Sequence, residues 1–185
     1  MKKLFLMMMA LLMALGLQAV VRGKFIHVDA SVNKNLKPQL AFSQKHVDGQ
    51  DITTLLVQTV NTNAYYEFTD ASRVLMRFAD GKAVRLNRVA GSKVATRKYT
   101  TKNGTATISH YETIPEYEMT PEVIEALEAG ISVIKVRIVF KENESKDYDI
   151  AESYQARMTA DLFKSYQEAC SKNKTTHSDT GDDDF

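Results

Sequence analysis

The sequence predicts an α+β fold: a mostly antiparallel β-sheet with one short helix and one long C-terminal helix packed on it. Three observations predict it. Asp80-Gly81 separates two short strand-forming runs, and an Asp-Gly pair readily takes the backbone angles of a tight hairpin turn. Residues 131–140 alternate side chains over the strongest β-forming stretch of the chain. Ile150, Tyr154, Met158, Leu162, Tyr166 and Cys170 recur every four residues, the spacing of an amphipathic helix whose stripe faces a core.

The elements follow in chain order. Lys2 and Lys3 precede an uncharged apolar run over 4–15, then Gly16, Leu17, Gln18 and Ala19. This is the layout of a cleavable secretory signal peptide over residues 1–19. The apolar run falls short of the roughly 20 residues that a membrane span needs. The single cysteine, Cys170, lies far from it, so no N-terminal lipid anchor is expected. Residues 24–30 read as a strand and 33–38 as a loop ending in Pro38. Residues 51–60, rich in Thr, Val, Ile and Leu, read as a strand. Asn61, Thr62 and Asn63 read as a turn leading to a strand over 64–68.

The hairpin at Asp80-Gly81 comes next. Its first arm carries Val74, Met76 and Phe78 on one face and Leu75 on the other. Apolar residues on both faces predict a central strand covered on both sides. Asn103-Gly104 marks a second hairpin turn, between Thr- and Tyr-rich flanks with little aliphatic content. That hairpin is expected to be long and solvent-exposed. Thr120-Pro121-Glu122 starts the short helix, with Thr120 as its cap and Pro121 in its first turn. Val123, Ile124 and Leu127 share a face, and Gly130 ends the helix. In the strand over 131–140, Ile134, Val136, Ile138 and Phe140 are assigned to one face. Val133, Lys135, Arg137 and Val139 are assigned to the other. A charged turn over 142–147 precedes the long helix, expected over 150–170. The polar stretch 171–185 lacks aliphatic residues and is expected to be a disordered tail. Residues 20–170 therefore form one domain.

These elements, in this order, resemble a family of uncharacterised secreted proteins from Bacteroidetes-type bacteria. The resemblance rests on Val74-Leu75-Met76-Arg77-Phe78, Asp80-Gly81, Val84-Arg85-Leu86, residues 117–127, Gly130-Ile131 and Ile134-Lys135-Val136-Arg137-Ile138. It covers about residues 50–165, implies the same α+β fold, and brings no catalytic residues. The stretch 87–111 departs from the family pattern in being unusually long and basic.

Composition narrows the function. The chain is 44% hydrophobic and 25% charged, ordinary for a globular protein. Its formal charge of +1 becomes −1 when Lys2 and Lys3 leave with the signal peptide, which argues against a nucleic-acid binder. One cysteine allows no internal disulfide, and Cys170 reads as a buried free thiol. His27, His46, His110 and His177 show no metal-ligand spacing, and no Ser lies in a nucleophile elbow. Glu112, Glu116 and Glu118 read as a solvated acidic edge, and Asp179 with Asp182, Asp183 and Asp184 lacks the ligand pattern of a calcium loop. No catalytic group, metal or cofactor is expected, and no stable membrane span after signal cleavage.

One charge feature stands out. Lys82, Arg85, Arg88, Lys93, Arg97, Lys98 and Lys102 occur with no acid between Gly81 and Glu112. Tyr99 and Tyr111 lie within or beside this run, and strand alternation would gather some of these side chains on one face. The leading expectation is a non-enzymatic secreted or periplasmic binding protein. It would recognise an acidic envelope component or protein through this basic hairpin or a sheet edge. Two alternatives stand beside it: a small secreted hydrolase with dispersed catalytic residues, and an inhibitor or assembly subunit that uses the C-terminal helix.

Overall fold

The computed structural model describes residues 21–28, 38–47, 50–62, 64–141 and 144–178. The expected signal peptide, most of the loop over 33–38, and the end of the chain from 179 lie outside the described residues. The α+β expectation holds: among the described residues, two antiparallel sheets and two helices share one core.

The larger sheet is organised around β3 (Gln39–Val47) and β4 (Gln50–Asn61), which pair along their length from Gln39↔Gln58 to Val47↔Gln50. The short strands β1 (Val21–Arg22) and β2 (Ile26–His27) line the other side of β3. Along the far side of β4 run β8 (Ala106–Ile114) and then β9 (Glu116–Glu118). Pro115 separates them, because proline has no N–H to continue the ladder. Its carbonyl still accepts the Val57 N–H at 3.2 Å. β7 (Ala95–Asn103) pairs with β8 and ends the sheet.

The smaller sheet runs β11 (Glu144–Asp149), β10 (Val133–Lys141), β5 (Arg73–Phe78), β6 (Ala83–Asn87). Just past β6, Arg88 bridges to Tyr117 of β9, and the Val89 N–H donates to the Glu116 carbonyl at 3.0 Å. These bonds join the two sheets at one seam. Leu40, Phe42, Leu55, Val57 and Tyr117 from one sheet meet Val74, Met76, Phe78, Val136, Ile138 and Phe140 from the other. α1 (Pro121–Glu128) adds Val123 and Leu127, and α2 (Glu152–Ser178) adds Met158, Leu162 and Ala169.

α2 touches β1, β2 and β3 of one sheet and β10 of the other. Its contact is not only apolar. The Ser165 Oγ accepts the Phe42 N–H at 3.2 Å, and the Thr159 Oγ1 accepts the Val133 N–H at 3.0 Å. Both hydroxyl residues are buried. The chain after β1 passes so close to α2 that a Cβ on Gly23 would stand 1.9 Å from the Ser165 carbonyl oxygen. The Gly23 N–H donates to the Phe42 carbonyl at 2.9 Å, which fixes this approach.

Several expectations change. Residues 64–68 form no strand; β4 instead pairs back with β3, a strand that the polar Ser43, Gln44 and Lys45 concealed. Of the strand expected over 24–30, only Ile26–His27 (β2) is strand; Lys24 and Phe25 are irregular, β1 lies before the expected span, and residues 29 and 30 lie outside the described residues. β5 is central in its sheet, but one face only is covered: Val74, Met76 and Phe78 are buried, Leu75 half-buried and Arg77 exposed. The Asp80-Gly81 loop has three residues, closed by the Gly81 N–H on the Phe78 carbonyl at 3.1 Å, with Gly81 at φ 89°. Register shifts between Val133 and Lys135, and this irregularity turns Val133 into the core alongside Val136 and Ile138. The charged turn over 142–147 is largely strand β11. Thr120 occupies the cap position of α1 without a side-chain bond. α2 continues to Ser178, into the stretch expected to be a disordered tail.

Replacing Gly23 with alanine forces the segment over 21–27 away from α2. Overpacking of this kind costs about 1–3 kcal/mol. Denaturant unfolding should show that loss, with faster amide exchange at Gly23. A Gly23→Ala protein of unchanged stability and protection would contradict the close approach.

Candidate functional site

β7 and β8 pair over nine residues each, from Ala95↔Ile114 to Asn103↔Ala106. β4 covers β8 only from Tyr111 to Thr113. The rest projects past the sheet as a two-stranded ribbon, its tip exposed. Gly104, at φ 60°, makes the two-residue turn at that tip.

The register sorts the basic run onto two faces. Arg97 and Tyr99 share one with Glu112 and His110. There the Arg97 guanidinium lies 5.2 Å from the Tyr99 ring centre and 3.3 Å from the Glu112 carboxylate. Tyr99 stacks on His110 at 4.9 Å. Lys98 and Lys102 occupy the other face, with Tyr111 directly opposite Lys98. The Lys98 ammonium sits 5.3 Å from the Tyr111 ring centre, and Tyr65, 42% exposed, meets that ring edge-on at 5.0 Å. Tyr99 and Tyr111 therefore stand on opposite faces, not on one.

The remaining members of the run lie elsewhere. Lys93 is exposed in the loop before β7. Lys82 and Arg85 belong to the smaller sheet, at the turn and on β6. Arg88 is structural: its side chain is 8% exposed, pairs with Asp70 at 3.0 Å and donates to the Ser92 carbonyl. It sits at the seam beside Tyr117, whose phenol pKa burial raises and Arg88 partly restores.

Among the described residues, the candidate histidines and carboxylates make the following contacts. The His110 Nε2 lies 2.7 Å from the Thr101 hydroxyl, but its Nδ1 is buried without a partner. A nucleophile–histidine pair needs a carboxylate or equivalent on that nitrogen. The His46 Nδ1 lies 2.8 Å from the Asp51 carboxylate at the turn end of the β3–β4 hairpin, both side chains well exposed. Glu112 pairs with Arg97 and Glu116 with Lys45. No group of three or more metal-ligating side chains exists among the described residues. Among those residues, too, no helix is long and apolar enough to cross a membrane. Cys170 is half-buried and free, and accepts from the Gln44 amide at 3.2 Å.

Among the described residues, two concavities bear on a ligand. One, about 530 Å³, is a groove between the start of β4 and α1, lined by Ile52, Met119, Ile124 and Tyr166 with Asp51 and Glu125 at its rim. The other, about 210 Å³, lies on the outer face of the smaller sheet, among Leu75, Met76, Arg77, Ala83, Lys135 and Arg137. Sequence reading passed over this face, because Arg73, Arg77, Lys135 and Arg137 come from strands far apart in the chain. Alternation within each strand was the available signal. No family model, curated protein or solved structure matches the chain.

Ion pairs order the rim of the smaller depression. Asp147 accepts from Arg137 and pairs with Lys135 at 3.1 Å, and Asp149 pairs with Lys135 at 3.3 Å. The Arg137 guanidinium, with Lys135 beside it, holds the Asp147 carboxyl well below the usual carboxylate range. Its stabilising effect is complete above the unfolded aspartate pKa of about 3.9, and it decays as pH falls towards the depressed folded value. The stability gap between wild type and Asp147→Asn should stay constant from about pH 7 to 5 and narrow in stronger acid. A gap that stays flat down to about pH 3 would show that Asp147 titrates like an unpaired carboxylate.

Proposed function

We propose that this is a non-enzymatic exported binding protein, secreted or periplasmic, that captures an acidic envelope protein along β7. The observation that carries the reading is the place of the basic strand: β7 is itself the open edge of the seven-stranded sheet. The basic hairpin and the sheet edge are one feature. An edge strand offers a row of unpaired backbone groups to an extended partner. Here Lys98 and Lys102 stand on one face of that row and Arg97 on the other, so an acidic strand finds cations on both sides. Tyr65 and Tyr111 add an exposed aromatic surface next to Lys98.

The apolar face of α2 supports this choice over a helix-mediated assembly, since Met158 and Leu162 are wholly buried in the core. Export rests on the three-part leader at residues 1–19, and the exported chain is expected to begin at Val20. A mass for that chain that still includes residues 1–19 would contradict the export reading.

A short extended peptide alternating glutamate with valine serves as probe for the edge. It should bind wild type at low salt, protect β7 amides from exchange, and weaken as salt rises. Lys98→Glu with Lys102→Glu should weaken it by about tenfold, a change of about 1.4 kcal/mol. Equal binding by the reversed protein, or protection confined to other strands, would overturn the assignment.

A further inference from the structure

The outer face of the smaller sheet is a second basic surface, built from different strands. Its rows follow from the register: Lys135 stands opposite Arg77 and Arg77 opposite Ala83; Arg137 stands opposite Leu75 and Leu75 opposite Arg85; Val139 stands opposite Arg73 and Arg73 opposite Asn87. Five cations thus share one face. The acids of that face come from the edge strand β11: Asp147 is engaged by both Lys135 and Arg137, and Asp149 by Lys135. Arg73 and Arg77 have no acidic partner among the described residues, and the Arg85 guanidinium bonds the Asn87 amide oxygen at 3.2 Å.

Like charges directly opposite each other destabilise a sheet. Arg77 and Lys135 are such a pair. Arg85, diagonal to both Arg77 and Arg73, is about 7–8 Å from each across the strands, within reach of an arginine side chain. The fold therefore holds repelling cations around one depression. Ala83, opposite Arg77, is small, and the depression's lining includes Leu75 and Ala83 beside Arg77, Lys135 and Arg137. At about 210 Å³ it takes the volume of several waters, at about 30 Å³ each. That is room for a tetrahedral oxyanion and the start of its substituent. Asp147 already demonstrates what the wall can do, since Arg137 and Lys135 together grip its carboxylate.

We propose that this depression binds a phosphate group, with Arg77 as its principal ligand, Lys135 and Arg137 as its far wall, and Arg85 within reach from the neighbouring row. Guanidinium forks match phosphate geometry and keep their charge at every physiological pH. Phosphate, with more negative charge than a carboxylate, best offsets the three arginines left without acids. A bound anion also relieves the repulsion between Arg77 and Lys135. The phosphate can be that of a soluble monoester or of a lipid headgroup; the chemistry read by the arginines is the same. The site is independent of β7, which belongs to the other sheet.

The test uses the chain from Val20 onward and two probes: inorganic phosphate, and vesicles of phosphatidylcholine with or without phosphatidic acid. Saturable shifts of the amides at 75–77, 83–85 and 135–137 are expected with at least one phosphate probe. Saturation by inorganic phosphate alone assigns a soluble source; binding only to phosphatidic acid vesicles assigns a headgroup. Arg77→Gln should weaken binding at least tenfold, and Ala83→Leu, which fills the depression without altering charge, should do the same. Lys98→Glu with Lys102→Glu should leave it unchanged, which separates this site from the β7 edge. Absence of saturable shifts with both probes, or wild-type affinity in both Arg77→Gln and Ala83→Leu, would overturn the proposal.

Discussion

Two hydroxyl groups on one helix hold the architecture in register. Ser165 accepts a backbone N–H from β3, and Thr159 accepts one from β10. These strands belong to different sheets, joined elsewhere at the seam of Arg88 and Tyr117. α2 is thus a buttress across both sheets rather than a cover on one. Apolar burial supplies most of its attachment, with Met158, Leu162 and Ala169 in the core. The hydroxyl bonds add position. A buried N–H left without an acceptor costs about 1–3 kcal/mol, so each bond selects one seating of the helix. Gly23 adds to that selection, because the chain beside β3 fits against Ser165 only without a side chain.

The outer surfaces follow from this arrangement. With one core facing α2 and no internal disulfide to replace it, the apolar content of the strands is spent inward. The opposite face of the smaller sheet is left to Arg73, Arg77, Arg85, Lys135 and Arg137, and the far end of the larger sheet to the β7–β8 ribbon. Neither surface is needed for the core. That separation lets each accumulate charge at little structural cost, and it lets β7 stay an open edge. Lys98, Lys102 and Arg97 along that edge also oppose self-association, so the same charges that would select an acidic partner guard the free protein.

Much of this fold is legible in the sequence where a single element states its own pattern. The hairpin at Asp80-Gly81, α1 between Thr120 and Gly130, and the apolar stripe of α2 all emerge from local spacing. β3 does not, because Ser43, Gln44 and Lys45 are polar and their burial or pairing comes from neighbours: Ser43 lies beneath the sheet's surroundings, Gln44 meets Cys170, and Lys45 meets Glu116. The inward turn of Val133 depends on a register shift that no periodicity announces. Ser165 and Thr159 also escape an apolar-stripe reading, since their importance lies in strand amides far away in the chain. The basic run from Lys82 to Lys102 was visible as composition, yet pairing divided it among two ribbon faces, a second sheet and a buried seam. Arg77 and Arg137 joined the basic surface only through topology.

α2 holds both sheets through these two hydroxyls. The direct measurement is the stability and amide exchange of Ser165→Ala and Thr159→Val, singly and together. Each change should cost about 1–3 kcal/mol. Ser165→Ala should speed exchange at Phe42, and Thr159→Val should speed it at Val133. Wild-type stability in the double variant, with Phe42 and Val133 as protected as before, would contradict the claim that α2 holds the two sheets in register.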